Sequence, residues 1–555
     1  MRLLLIAPML LLLAPSAEVA AVAPQDAPLH AICGDDTAAP TVARILPGFG
    51  AGALAITTAN PRAQAFFDNG LQLSHAFAHA AGEGAFKEAA RIDPSCAMCK
   101  WGEAWAGGPT INFTIDAATQ VKMGKLVDAA MPLAAKGPAL ERDLLAALKL
   151  RYQDGGGKGR GDIAYARAMD AIVLAHPESD ELLTLAADAW MIPAALADNK
   201  IGMPRAVGLL EAVLKRNPDF TPAIHFYIHA TEMSGFPGRA ERYADRLGAL
   251  APAASHLIHM PSHTYYWIGR YQDATDANVN AAALGVAETR AIKPPVPDAE
   301  TAAFNQTYHG HNVHFGVGGA LISGDAKDAL ALSAPVLRGL AALPQVPPYQ
   351  QMVGGTAYFA EGRFADPAAV LALAEPGVKQ VYLRGYRHYA RGEAYARMGD
   401  AKGVRAEVAA IVLDVGPTKR DDGSLQAATL LRIARAVLEG RAAMLEGRPD
   451  LAVRGYKAAA KIEESKAMHG YDDPPIWWYP VRRSLAAALL AAGKPKDALR
   501  EADAALARRP LDPVTLSVRA DALTALGQSD AAAKDRAAAV KTWRGDRSAF
   551  SAAMI

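Results

Sequence analysis

TPAIHFYIHATEMSGFPGRAERYADRLGALAPAASHLIHMPSHTYYWIGRYQDATDANVNA, residues 221–281, repeats its own pattern of small and large residues. Ala240, Ala244, Leu247 and Pro252 fall 34 residues after Ala206, Leu210, Val213 and Pro218, and Ala274, Asn278 and Ala281 carry the series one step further. Gly235 and Gly269 each stand five residues before a repeat alanine. The same beat returns near the C-terminus as Gly493, Ala498, Ala502, Ala505 and Pro510, then Gly527 and Ala532. Related units begin at Gly324/Ala329 and Gly447/Ala452, with a degenerate one at Gly399.

A period of 34 with small residues at fixed places is the tetratricopeptide (TPR) pattern. Small side chains let the two helices of a unit approach closely, and glycine and proline end the helices at set points. Each hairpin leaves an apolar face that only its neighbour covers, so the units stack. The sequence therefore predicts an all-α fold, a TPR-like right-handed superhelical solenoid of antiparallel helix pairs. The expected organisation is a leader over 1–21, an extension over 22–60, helical repeats over 61–200, His-rich repeats over 201–345 and further TPR-like repeats over 346–555. The Pro-rich stretches 293–298 and 343–350 read as connections between repeats. The glycine-rich loop 154–162 matches neither phosphate-loop spacing.

Bulk properties narrow the function. With 58 basic and 57 acidic side chains the net charge is +1, and no basic stripe argues for nucleic acid. Arg2, the apolar run Leu3–Leu13 and the small residues Val19-Ala20-Ala21 read as a secretory leader cleaved before Val22. That run falls short of the roughly 20 residues a membrane span needs, and no later stretch qualifies. The expected location is periplasmic or secreted. Export permits a disulfide among Cys33, Cys96 and Cys99, with one thiol left over.

Several blocks lie scattered over the chain: TTANPRAQAFFDNGLQLSHAFAH (57–79), DPSCAMCKWGEAWAGGPTIN (93–112), HFYIHATEM (225–233), HLIHMPSHTYYWIGRY (256–271), YHGHNVHF (308–315), HYARGEAYARMGD (388–400) and YDDPPIWWYPVR (471–482). Together they resemble a family of secreted bacterial TPR proteins with His-rich motifs. Ala78 stands where that family has Asn before a histidine, and Asp473 where it has Glu before Pro-Pro. The resemblance implies the fold and carries no activity.

Of 14 histidines, eight lie between residues 225 and 314. With Ala240 at repeat position 20, His225, His229 and Glu232 take positions 5, 9 and 12 of the first helix. His256, His259 and His263 take positions 2, 5 and 9 of the next unit; His311 and His314 take 2 and 5 of a third, anchored on Ala329. Those positions line the concave groove of TPR proteins. Residues four apart share a helix face, so His225/His229 and His259/His263 are predicted to ligate an ion, with Glu232 as a further ligand or as catalytic base. His256, His311 and His314 would supply a second site or a supporting shell. Imidazole and carboxylate suit a transition metal such as Zn, Cu or Fe rather than Mg or Ca. Pro261 should interrupt the second helix. The competing reading is a scaffold holding a peptide, protein or small molecule in the groove.

Four other residues are candidate binding groups: His79, Asp473, Trp477 and Arg482. His79 would reach the same cavity or brace a loop. Trp477 would stack on a ligand or pack at a repeat junction. Asp473 and Arg482 would orient a ligand or pair with each other. Trp101 and Trp105, four apart, read as core.

Overall fold

The alanines that set the repeat are the points of closest helix packing. Ala206, Ala240, Ala274, Ala281, Ala498, Ala502, Ala505 and Ala532 are all 0% exposed, and Ala244 is 1% exposed. The glycines that precede them close the first helix of a pair in the left-handed region, as at Gly235 (φ 84°) and Gly269 (φ 87°), where a Cβ would be strained. The computed structural model describes residues 44–153, 160–196, 200–292, 294–306, 308–420, 422–468 and 473–546. The expected leader and Cys33 lie outside these residues. Among them every regular element is a helix, and no helix is long and apolar enough to cross a membrane.

The chain forms two compact units. The first comprises the described residues of 44–264 and 280–299. Its helices are α1 (Pro61–His75), α2 (His79–Ile92), α3 (Ala97–Ala106), α4 (Ala117–Ala134), α5 (Ala139–Arg151), α6 (Arg160–Ala175), α7 (Asp180–Leu196), α8 (Met203–Arg216), α9 (Thr221–Met233), α10 (Glu241–Leu250) and α11 (Ser255–His259). Each packs on the next, and α1 on α3, α3 on α5 and α7 on α9 add the second-neighbour contacts of stacked hairpins. Short connections force neighbouring helices antiparallel.

The division between units falls within α12 (Pro261–Ile268), α13 (Tyr271–Ala291) and α14 (Ala299–Ala302). The second unit comprises the described residues of 265–279 and 300–546. It holds α15 (His309–Ser323), α16 (Ala326–Ala342), α17 (Pro348–Phe364), α18 (Pro367–Leu371), α19 (Val381–Arg397), α20 (Ala401–Ala410), α21 (Ser424–Leu445), α22 (Pro449–Glu463), α23 (Arg482–Ala491), α24 (Pro495–Arg508), α25 (Pro513–Ala525) and α26 (Ser529–Thr542). Here too α17 packs on α19, α19 on α21 and α23 on α25.

Caps mark the helix starts. Asn60 accepts from Arg62 N before α1, and Asp512 accepts from Val514 N and Thr515 N before α25. Cys96 caps α3 and is bridged to Cys99, with Cα atoms 5.4 Å apart. Trp101 (0% exposed) and Trp105 (7%) stack on each other in the core.

One part of the first unit is not helical. Residues 44–60 run extended, and side chains take up their backbone groups. Asn69 bonds both N and O of Leu46; Gln64 bonds Leu54 O and Ile56 N; Ala51 N donates to Thr221 Oγ1 at 2.7 Å; Thr57 N donates to Glu141. Gly48 O accepts from Ala253 N at 3.0 Å. The segment thus ties α1 to the start of α9 and to the turn before α11.

Candidate metal centre

Pro261 interrupts its helix as the sequence predicts, splitting it at Met260 into α11 and α12. His256 and His259 lie on α11, His263 on the first turn of α12, and His225, His229 and Glu232 on α9. All six belong to the first unit, and all are buried. His225, His259 and His263 are 0% exposed, His229 1%, Glu232 3% and His256 6%. The register expected them on an open groove wall; in the structure they are buried.

The rings converge. His225 and His229, one turn apart, have centroids 5.1 Å apart, and His229 lies 5.3 Å from His263 across the helix pair. His225 Nε2 faces His256 Nε2 at 3.2 Å, and His259 Nε2 faces His263 Nε2 at 2.9 Å. Two nitrogens bound to one ion at about 2.05 Å stand roughly 2.9–3.3 Å apart for right-angle to tetrahedral geometry, so both separations suit shared ligation. His225, His229 and His256 each offer a nitrogen within 4.8 Å of the other two, and so do His229, Glu232 and His263 with one oxygen.

Neighbouring groups fix which nitrogen points inward. His225 Nδ1 sits 2.6 Å from the carbonyl of His75, an acceptor, so that nitrogen carries the proton and Nε2 presents its lone pair. His263 Nδ1 sits 2.8 Å from Glu232 Oε2, which again leaves Nε2 as the open donor atom. Glu232, expected as ligand or base, also orients His263 through Oε2. His259 Nδ1 lies 3.3 Å from Ser262 Oγ. His229 differs from all of these: both of its ring nitrogens are buried and neither has a hydrogen-bond partner. Burial draws the pKa of His225 down to about 3 and that of His229 well below the ordinary value. Both rings are neutral at pH 7, the form that binds metals.

Two residues of the site have no register signal. His75, at the end of α1, supplies the carbonyl for His225 and turns its own ring onto Glu181 at 2.6 Å, both side chains buried. Phe77, in the turn between α1 and α2, takes φ 58°, a conformation costly for a bulky side chain. Its ring lies 4.4 Å from His225, 4.9 Å from His256 and 6.0 Å from His229, an apolar wall on the cluster. A left-handed phenylalanine leaves no trace in periodicity.

The remaining candidates lie on other segments of the chain. His79 opens α2, half-buried, with its ring 5.0 Å from Phe77 and its pKa drawn to about 4 by burial. His311 and His314 lie on α15 in the second unit, where His311 packs on Phe315 and His314 Nε2 is buried without a partner. Trp477 is 2% exposed and packs edge-on against Phe359 and Tyr389, a junction rather than a stacking platform. Arg482 pairs with Glu464 (2.6 Å), the C-cap of α22, and with Glu501 on α24, in place of the pairing with Asp473. Asp473 precedes Pro474 in the turn before α23, half-buried.

The buried histidines of the second unit set a pH dependence. Burial draws His314 to about 3 and His309 to about 4, against 6.5 for the free side chain. Between those values the unfolded chain binds protons that the folded one refuses, so stability falls as pH drops. Above about pH 7 neither group contributes a slope. Urea melts of wild type and His314→Leu from pH 7.5 to 4.5 should show the stability difference between them constant at the top and shifting in favour of the variant below about 6.5.

No protein-family model and no curated protein sequence matches the chain. Solved structures with some likeness include the human IFIT1 dimer with m7Gppp-AAAA, at 13% identity and a TM-score of 0.30 over 88% of this chain and 91% of that one. The TPR domain of P58(IPK) aligns at 16% identity and a TM-score of 0.19, over 62% of this chain and 90% of its own. Naa15/Naa10 bound to HypK-THB aligns at 12% identity and a TM-score of 0.23, over 87% and 89%. Likeness at this level says nothing about the site.

Proposed function

We propose that this chain is an exported helical-repeat protein that holds a transition-metal ion in the first unit, through His225, His229 and His256. His263, oriented by Glu232 and paired with His259, stands beside it as a fourth ligand or the start of a second site. The observation that carries this reading is His229. An imidazole buried with neither nitrogen satisfied costs about 1–3 kcal/mol per lost partner, and native proteins rarely tolerate that without a reason. Here four further imidazoles and a carboxylate surround it. A bound ion satisfies the lone-pair nitrogen of His229 and uses lone pairs that His75 and Glu232 already aim inward.

The donor set favours Zn, Cu or Fe, and the neutral state of the rings suits binding at pH 7. Burial to 6% exposure or less admits water or a small molecule to such an ion, not a polymer. A free peptide groove has less support here, since residues 44–60 already bond Thr221 at repeat position 1.

The test is metal content. Tag-free protein, stripped with chelator and dialysed against Zn, Cu(II) or Fe(II), is expected to retain at least one equivalent by mass spectrometry. His225→Ala/His256→Ala should retain none at the same free concentration, with circular dichroism unchanged. A wild type that stays metal-free with all three ions, or a double variant that binds as well as wild type, would overturn the proposal.

A further inference from the structure

The second unit contains a different orphaned cluster, with no metal ligand in it. Arg363, near the end of α17, places its guanidinium carbon 4.6 Å from the Trp478 ring centre and 5.8 Å from that of Trp543. Arg483 on α23, itself 0% exposed, places its own 4.9 Å from Trp478 and 4.0 Å from Tyr479. Two guanidiniums therefore share one indole.

Their hydrogen bonding is incomplete in the same way. Nε and Nη2 of Arg363 are buried with no partner, and so are Nε and Nη2 of Arg483. Those two nitrogens form the side edge of a guanidinium, the fork that takes two oxygens of one carboxylate or phosphate. Arg483 uses only Nη1, toward Asp512 at 3.1 and 3.3 Å. The indole Nε1 of Trp478 and of Trp477 are also buried without an acceptor.

The charges do not balance. Those acting on Arg363 come from Arg483, Asp512, Arg441 and Glu393. Arg441 is taken by Glu393 at 3.1 Å and Arg483 by Asp512 at 3.1 Å. Among these described groups three guanidiniums thus face two carboxylates, and Arg363 has no ion-pair partner among them. A half-buried guanidinium with its side edge buried and unpaired calls for an anion.

We infer that Arg363 and Arg483 bind the oxyanion head of a small ligand, a carboxylate or a phosphate, against Trp478. The aromatic surfaces of Trp478 and Trp543 provide the apolar side of the site, and the unused forks provide the polar side. The site is independent of the metal centre and lies wholly in the second unit.

The experiment titrates the full chain with inorganic phosphate and, separately, with succinate, at an ionic strength held constant with sodium chloride. Thermal unfolding and tryptophan fluorescence are followed. At least one anion is expected to raise the unfolding midpoint of wild type in a saturable way. Arg363→Met should abolish that rise, and Arg363→Lys, which keeps the charge and loses the fork, should weaken binding about tenfold or more. A rise with phosphate alone assigns a phosphoryl ligand, with succinate alone a carboxylate, and with both the shared chemistry. Neither anion acting beyond the chloride control would overturn the inference. So would undiminished binding by Arg363→Lys, the variant that decides the matter if Arg363→Met fails to fold.

Discussion

His229→Leu is expected to make the metal-free protein more stable while removing its metal. The leucine is close in size to the imidazole and needs no hydrogen bonds. The native ring, 1% exposed, leaves two nitrogens unpaired in a wall of Phe77, His225, His256 and His263. Relief of those unmet bonds should add about 1–3 kcal/mol to stability in chelator. In saturating metal the order reverses, because wild type gains binding energy that the variant lacks. At a free concentration of 1,000 times Kd that gain is about 4.1 kcal/mol, more than the relief. Urea melts of both proteins, with chelator and with metal, give the four numbers. An ordinary core histidine would give a loss in both conditions and no crossing.

Asp512→Ala is expected to be the most damaging single change in the second unit. Asp512 and Arg483 are both 0% exposed, and the carboxylate also receives Thr515 Oγ1 at 2.6 Å and caps α25 through Val514 N and Thr515 N. Removing it leaves a second guanidinium unpaired beside Arg363. Breaking a buried pair by taking one partner costs about 3–5 kcal/mol, and a lost cap adds about 1. Replacing both partners, as Asp512→Leu/Arg483→Met, should cost much less than the single change, since no buried charge is stranded. Equal losses in the single and double variants would show that packing, not charge, dominates at this point.

The repeat was readable because backbone geometry imposes it. A 34-residue return of Ala206, Ala240 and Ala274 admits few structures other than stacked hairpins, and Pro261 marked a place for a helix to kink or break. Register also placed His225 with His229 and His259 with His263, since residues four apart meet on any helix. What it did not give is the contact between helices. His256, read as part of a second site or a supporting shell, meets His225 directly at 3.2 Å, a distance set by how α11 lies relative to α9. Nor did it show that the histidines are buried. That depends in part on Phe77, whose turn has no period to betray it. Arg482 was ambiguous for a similar reason: Glu464 and Glu501 become its neighbours only once α22 and α24 pack beside α23. Trp477 belongs with these cases, since its packing partners Phe359 and Tyr389 lie about a hundred residues away in the chain.

The most direct test of the central claim is the position of the ion. Crystals of the protein loaded with Zn or Cu should be measured on both sides of the metal's absorption edge, and an anomalous difference map calculated. The account predicts a peak within about 2.0–2.1 Å of His225 Nε2 and His256 Nε2, with a nitrogen of His229 as a third ligand. A map whose metal peaks fall only on exposed groups, such as His176, with none inside the cluster of His225, His229 and His256, would contradict it.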